Sequence, residues 1–133
     1  MFEFVIPGIP RTVQTKKSSS REQWKQKVAA CAIEAMTENT MFFDEACSAV
    51  VIYYFIESTE LDVDGIAKLI LDGLKDIVFA DDKIVDQVLV RKSNQTGLKL
   101  SNPTPVLAEA LGADSNLVYV RIDYGANHSE LPK

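Results

Sequence analysis

Residues 46–56 read ACSAVVIYYFI, a near-continuous apolar run rich in Val, Ile, Tyr and Phe. A strand that is apolar on both faces needs cover on both, so this run predicts the central strand of a sheet. Apolar residues then recur at helical spacing from Ile66 to Ile77 and predict a helix over about residues 64–77. An apolar strand followed by an amphipathic helix indicates a fold in which helices pack on a sheet.

Turn signals and periodicity divide the rest of the chain into further elements. Ser20 and Gln23 form a capping-box pattern at the start of a long helix. The other predicted elements are strands at residues 2–6, 84–91 and 117–124, a long helix at residues 20–36 and a short helix at residues 105–111. The predicted fold class is α/β (mixed α+β), with two main helices packed on a mixed sheet. We expect one small domain over residues 1–125 and a flexible tail at residues 126–133.

Length and composition limit the class of protein. The chain has 133 residues, of which 47% are hydrophobic, and this suits one domain with an ordinary core. It contains no run of about 18 apolar residues that could span a bilayer. Its first residues lack the basic and long apolar regions of a secretory signal, so we expect a cytoplasmic protein. The two cysteines, Cys31 and Cys47, are too sparse for a disulfide framework.

Charge is unevenly distributed along the chain. A net charge of −5 argues against indiscriminate nucleic-acid binding, which needs a basic surface. The first 36 residues are nevertheless net positive, and Arg11, Lys16 and Lys17 precede the long helix. A basic arm beside an acidic site is what a metal-dependent enzyme acting on a polyanion needs. A solvated loop is the alternative interpretation of the same residues.

The acidic part of the chain follows the apolar strand. Nine carboxylates lie between residues 57 and 86, against three lysines. Carboxylates this close repel one another, and a bound divalent cation would relieve the repulsion. Mg²⁺ takes oxygen ligands and usually binds one or two carboxylates together with substrate phosphates. The segment therefore predicts a metal site for phosphate chemistry.

The predicted second helix determines which of these groups share a face. Asp64 and Lys68 are four residues apart and project from the polar face. Asp62 lies just before the helix, where the positive end of the dipole favours anions. A simpler interpretation makes Asp64 a helix cap and Lys68 an ion-pair residue. Asp81 and Asp82, which arrive just after the helix, add more carboxylates than capping requires.

Four motifs of this region recur together in one known family. They are Asp62-x-Asp64 with Lys68 one helical turn later, Asp72-Gly73-Leu74, Phe79-Ala80-Asp81-Asp82, and Ile84-Val85-Asp86. With these motifs, residues 47–93 resemble the RusA family of Holliday-junction resolvases, small dimeric endonucleases common in phages and prophages. The resemblance implies that Asp62, Asp64 and Asp82 bind Mg²⁺, with Asp81 as the alternative to Asp82. It also implies that Lys68 is needed for cleavage.

The resemblance implies a substrate and a function as well. We expect hydrolysis of paired phosphodiester bonds in four-way DNA junctions, in recombination and repair, with Arg11, Lys16 and Lys17 on flanking phosphates. A junction cut on two opposed strands needs two sites, and the chain supplies one, so we expect a homodimer. Leu71, near the polar face of the second helix, and the strand at residues 46–56 are the expected dimer seam.

The chain departs from the family pattern at two places. Gly65 stands where the family usually has Asn, and the Gln that usually follows the aspartate pair is absent. These departures favour one alternative, a module of the same fold that binds branched DNA or a protein partner without cutting. A second alternative is a haloacid-dehalogenase-type phosphatase, whose nucleophile motif resembles Asp62-Val63-Asp64. Against it, the acidic motifs lie too close together for a doubly wound sheet.

Overall fold

The predicted central strand is β2, Cys47–Phe55, in the computed structural model, which describes residues 1–125. The other elements are β1 (Phe2–Pro7), α1 (Ser18–Ala35), α2 (Val63–Gly73), β3 (Val85–Asn94), α3 (Pro105–Leu111) and β4 (Leu117–Tyr124). A single 3₁₀ turn, Asp82–Ile84, precedes β3. The expected tail at residues 126–133, with the only histidine, His128, lies outside the described residues.

The four strands form one mixed sheet in the order β1-β4-β2-β3. Strand β2 runs parallel to β3 and antiparallel to β4, and β1 runs antiparallel to β4. The carboxyl ends of β1 and β2 therefore lie beside the start of β4, at one end of the sheet. This confirms the predicted mixed sheet and the α+β class of a single small domain.

Both faces of β2 are covered, as its sequence requires. Helices α1 and α2 pack on one face and bury residues such as Val28, Val51 and Ile70. A smaller cluster on the other face joins Tyr54 of β2 to Leu107 of α3. The short helix at Pro105–Leu111 thus has a packing role, because it covers apolar side chains that α1 and α2 cannot reach.

Helix α1 begins earlier than predicted. Its N-cap residue is Lys17, which makes no side-chain cap bond, so the capping box expected at Ser20 and Gln23 is wrong. The carbonyl of Lys17 accepts the amides of Ser20 and Arg21 at 3.1 and 3.2 Å. These are the first hydrogen bonds of the helix itself, so the helix starts at Ser18 without a side-chain cap.

Helix α2 ends at Gly73, four residues before the predicted end. A Cβ on Gly73 would lie 2.9 Å from the carbonyl oxygen of Lys25, so α1 crosses closely there. Asp76, two residues after the C-cap residue Leu74, adopts a positive φ of 65° in the turn that follows the helix. Val78 and Phe79 are buried in the main core, and they explain why the apolar pattern continued past the helix.

Leu71 is only 8% exposed and belongs to the main core of its own chain. Its prediction as part of a dimer seam is therefore wrong, because the buried face of α2 is wider than the stripe that begins at Ile66. Cys31 and Cys47 are free thiols. Among the helices of residues 1–125, none is long and apolar enough to cross a membrane.

Candidate active site

Asp62 and Asp64 lie at the start of α2 with exposed side chains. Asp62 is the N-cap residue in extended conformation, and its carbonyl oxygen accepts the Gly65 amide at 3.1 Å. Its carboxylate makes no cap bond to the helix. Asp64 lies inside the first turn, so the interpretation of Asp64 as the helix cap is wrong. Both carboxylates stand at the start of α2, where the positive end of the helix dipole attracts anions.

Lys68 connects α2 to the segment that follows it. Its ammonium lies 2.9 Å from Asp72 Oδ1 and 3.3 Å from Asp82 Oδ2. The hydrogen bond to Asp72 is the main cause of a raised Lys68 pKa, and the bond to Asp82 adds to it. Lys75 approaches the other oxygen of Asp82 at 3.9 Å. Asp82 thus faces two lysines.

The two adjacent aspartates have different surroundings. Asp81 Oδ1 accepts the backbone amide of Lys83 at 3.0 Å and caps the 3₁₀ turn before β3. That hydrogen bond lowers the pKa of the Asp81 carboxyl. Of the two alternatives left by the motif, Asp82 is the one whose carboxylate meets the Lys68 ammonium.

Within residues 1–125, no three His, Cys, Asp or Glu side chains lie close enough together to hold a metal ion. The three carboxylates expected as ligands, Asp62, Asp64 and Asp82, are therefore not gathered in one cluster in this arrangement. The donor chemistry still fits Mg²⁺, because two carboxylates together with substrate phosphates are a common ligand set for it. Asp62 and Asp64 supply such a pair, and both side chains are open to solvent.

The loop between β1 and α1 reaches the start of α2. A Cβ on Gly65 would lie 2.9 Å from Gln14 Oε1 and 3.4 Å from Thr12 Cβ. The absence of a side chain at Gly65 therefore allows this loop to pack against the first turn of α2. It also places the Gln14 amide beside the position where the family pattern has Asn. Spacing along the chain gave no sign of this contact.

Arg11 belongs to a cleft at the same end of the sheet. The cleft has a volume of about 630 Å³ and lies between the loop, α1 and the residues just before β4. Its lining combines the apolar Ile9 and Trp24 with polar and cationic side chains, which are Arg11, Ser20, Gln23, Lys27 and Asn116. The Lys27 ammonium lies 5.9 Å from the centre of the Trp24 ring. Lys27 could not be singled out from the sequence, because its position on α1 is that of an ordinary exposed lysine.

Lys16 and Lys17 lie outside this cleft, in the exposed turn that leads into α1. The carbonyl oxygen of Lys16 accepts a hydrogen bond from the Arg21 guanidinium at 3.4 Å. The three basic residues predicted to contact phosphates therefore lie in two places. Arg11 lines the cleft together with Lys27, whereas Lys16 and Lys17 lie outside the cleft, further along the same loop.

Residues 8–101 match the family described as endodeoxyribonuclease RusA. The match includes α2, the aspartate pair and β3, which are the elements that carry the acidic site. The protein is therefore an enzyme of the endodeoxyribonuclease class. The chain belongs to the RusA family of Holliday-junction resolvases, as the motifs predicted. The phosphatase alternative is wrong, because the family and the mixed sheet both differ from it. No curated protein matches the chain.

Proposed function

We propose that this protein is a Mg²⁺-dependent, structure-selective endonuclease that resolves four-way DNA junctions by paired phosphodiester hydrolysis, in recombination and repair. The observation that carries the proposal is the exposed pair Asp62 and Asp64 at the positive end of α2, with the Lys68 ammonium one turn further along. Two carboxylates can hold a divalent cation against a phosphate oxygen, and a lysine beside them can neutralise charge on the same group. We also propose that the protein acts in the cytoplasm, as a homodimer.

Asp62 and Asp64 would hold the metal, and Asp82 is the proposed third ligand. When bound, Mg²⁺ supplies Lewis acidity towards a phosphate oxygen. Lys68 has a separate task. Its hydrogen bonds to Asp72 and Asp82 raise the pKa of Lys68 and so favour the cation, and its proposed role is to neutralise charge on the phosphate. Asp72 positions that ammonium through the 2.9 Å contact.

Arg11 and Lys27 are the proposed contacts to the DNA backbone, and Lys16 and Lys17 extend the basic surface along the loop. Arg11 and Lys27 line one cleft, and the loop that carries Arg11 continues to Thr12 and Gln14, which touch Gly65 in α2, so this loop would link a strand held in the cleft to the site. Contacts to phosphate position a duplex without reading its sequence. Such contacts suit an enzyme that selects a DNA structure.

The test is cleavage of a labelled synthetic four-way junction, with and without Mg²⁺, beside a linear duplex of the same sequence. We expect symmetric incision of the junction only when Mg²⁺ is present. Asp62→Asn and Asp64→Asn should each abolish cleavage and leave folding intact, because both side chains are exposed. Junction binding should persist or become tighter, since each change removes negative charge.

Two outcomes would contradict the proposal. Cleavage at near wild-type rate by either asparagine variant would show that the metal assignment is wrong. Specific binding of the junction without cleavage in Mg²⁺ would favour the non-cleaving module, the alternative that Gly65 and the missing Gln support.

A further inference from the structure

Strand β3 lies at one edge of the sheet, and its outer side has no partner strand within residues 1–125. It is ten residues long, and most of its side chains are exposed. Two of them are large and apolar, since Val88 is 41% exposed and Leu89 is 51% exposed. Long edge strands with exposed apolar residues are ready to pair with another chain, and folded proteins usually protect them.

We propose that two copies of this chain join along β3 as antiparallel strands, with a two-fold axis at Leu89, so that one sheet continues through both. This deepens the homodimer in the proposed function, for which the seam at Leu71 is ruled out. Leu89 of each copy would meet the partner's Leu89. Val88 would lie opposite the partner's Val90, and both valines face the side of the sheet that carries α1 and α2.

The distribution of charge along β3 favours antiparallel pairing of the two copies. Asp86, the second residue of the strand, is its one carboxylate, and Arg91 and Lys92 near the other end are its two cations. Antiparallel pairing about Leu89 brings Asp86 of each copy towards the partner's Lys92, and symmetry gives two such pairs. Parallel pairing in register would place like charges side by side, which is unfavourable. A bulge occurs beside Asp86, where Cys47 pairs with Val85 and Ser48 with Gln87, and the ladder from Gln87 onwards is regular.

The other edge of the sheet is less suitable. Strand β1 has six residues and ends at Pro7, which has no amide hydrogen for a ladder. Its only charged residue is Glu3, so two antiparallel copies would form no pair of opposite charges. The β1 edge therefore offers a shorter ladder without electrostatic complementarity.

The proposed seam is also connected to the active site. The Lys92 ammonium donates a hydrogen bond to the carbonyl oxygen of Leu61 at 2.8 Å, next to Asp62. An ammonium has three donor hydrogens, so this bond leaves donors for the partner's Asp86. A two-fold axis on β3 would thereby set the spacing between the two Asp62–Asp64 pairs.

The experiment is sedimentation of the full chain without DNA or Mg²⁺, so its result is independent of cleavage. We expect a dimer at tens of micromolar, because a single strand pair buries less surface than a standard interface. Leu89→Asp should give a monomer. The matched control is Ile33→Asp on α1, which is 58% exposed and should remain as dimeric as the wild type.

A charge exchange tests the orientation. Asp86→Lys should weaken dimerisation about tenfold or more, since two like-charged pairs replace two opposite ones. Adding Lys92→Asp in the same chain should restore it, with the signs reversed. Circular dichroism confirms that each variant is folded, and the charge exchange decides the matter if Leu89→Asp does not fold. A monomeric wild type, a dimeric Leu89→Asp, or no rescue in the double variant would overturn the proposal.

Discussion

Lys68 projects from the surface of α2 and lies between two carboxylates, which favour its cationic form and hold its ammonium in position. Asp72 holds the ammonium from the same helix, while Asp82 reaches it from the segment after the helix. The hydrogen bond to Asp72, with the one to Asp82, raises the pKa of Lys68 above its ordinary 10.5. The small stabilisation of the fold by these bonds is therefore fully present below pH 10.5. The contribution is lost only as the pH rises through the raised pKa. Lys68 is thus a permanent cation at physiological pH.

Lys68→Ala is expected to lower the cleavage rate by about 10²-fold or more, comparable to the loss of one electrostatic donor. Junction affinity should change little, since the charge acts mainly in the transition state. Single-turnover rates and binding isotherms measure the two effects separately. The matched control is Lys83→Ala, an exposed lysine beside the aspartate pair. Normal cutting with a loss of about 0.3 to 0.5 kcal/mol in stability would make Lys68 an ion-pair residue only.

The two adjacent aspartates give a second prediction. Asp82→Asn should slow cleavage much more than Asp81→Asn, because Asp82 faces Lys68 whereas Asp81 caps a turn. Asparagine is also a good cap, so Asp81→Asn should fold normally. The lowered Asp81 pKa means that its carboxylate stabilises the fold above its ordinary pKa, and loses this effect as the pH falls through the lowered value. A larger loss of rate in Asp81→Asn would reverse the assignment.

At the scale of elements, close approaches between segments shape the site. Gly65 admits the loop that carries Thr12 and Gln14, and Gly73 admits the backbone of α1 at Lys25. Helix α2 is therefore short and packed tightly at both ends. The loop from β1 to α1 then forms one wall of the cleft that contains Arg11 and Lys27.

This cleft predicts a salt-dependent contact with DNA. Arg11→Gln and Lys27→Gln should each weaken junction binding and reduce the slope of log affinity against log salt by about 0.9, which corresponds to one lost phosphate contact. The matched control is Lys25→Gln on the same helix, whose ammonium lies 2.7 Å from Glu22 and outside the cleft. Equal effects of all three changes would mean that binding depends on the overall charge of the protein and not on contacts in this cleft. Fluorescence anisotropy over a series of salt concentrations makes the comparison.

At the scale of the whole molecule, two active sites must act on one junction. A plasmid with an extruded cruciform distinguishes paired from single incisions, since paired nicks give linear DNA and single nicks give open circles. The wild type should produce linear DNA. Leu89→Asp should produce mainly open circles, because a monomer cuts one strand per encounter. If a variant shown to be monomeric still produced linear DNA, paired cutting would not require the proposed dimer.

The amino-acid sequence alone determined the class of fold and the family. Strand β2 could be predicted because an apolar run of that length needs a covered place in a sheet. The face of α2 that carries Asp64 and Lys68 followed from helical periodicity, and the spacing of the acidic motifs identified the RusA family. These features are local, since each depends on residues within a few turns of one another.

Only the tertiary structure decided which groups meet. The bonds from Lys68 to Asp82, the approach of Gln14 to Gly65, and the cleft shared by Arg11 and Lys27 all join separate segments. Their geometry depends on the strand order β1-β4-β2-β3, which brings the carboxyl ends of β1 and β2 beside the start of β4. Periodicity along a chain reports which face of an element is buried. The contacts between elements are determined by packing, which depends on the whole chain at once.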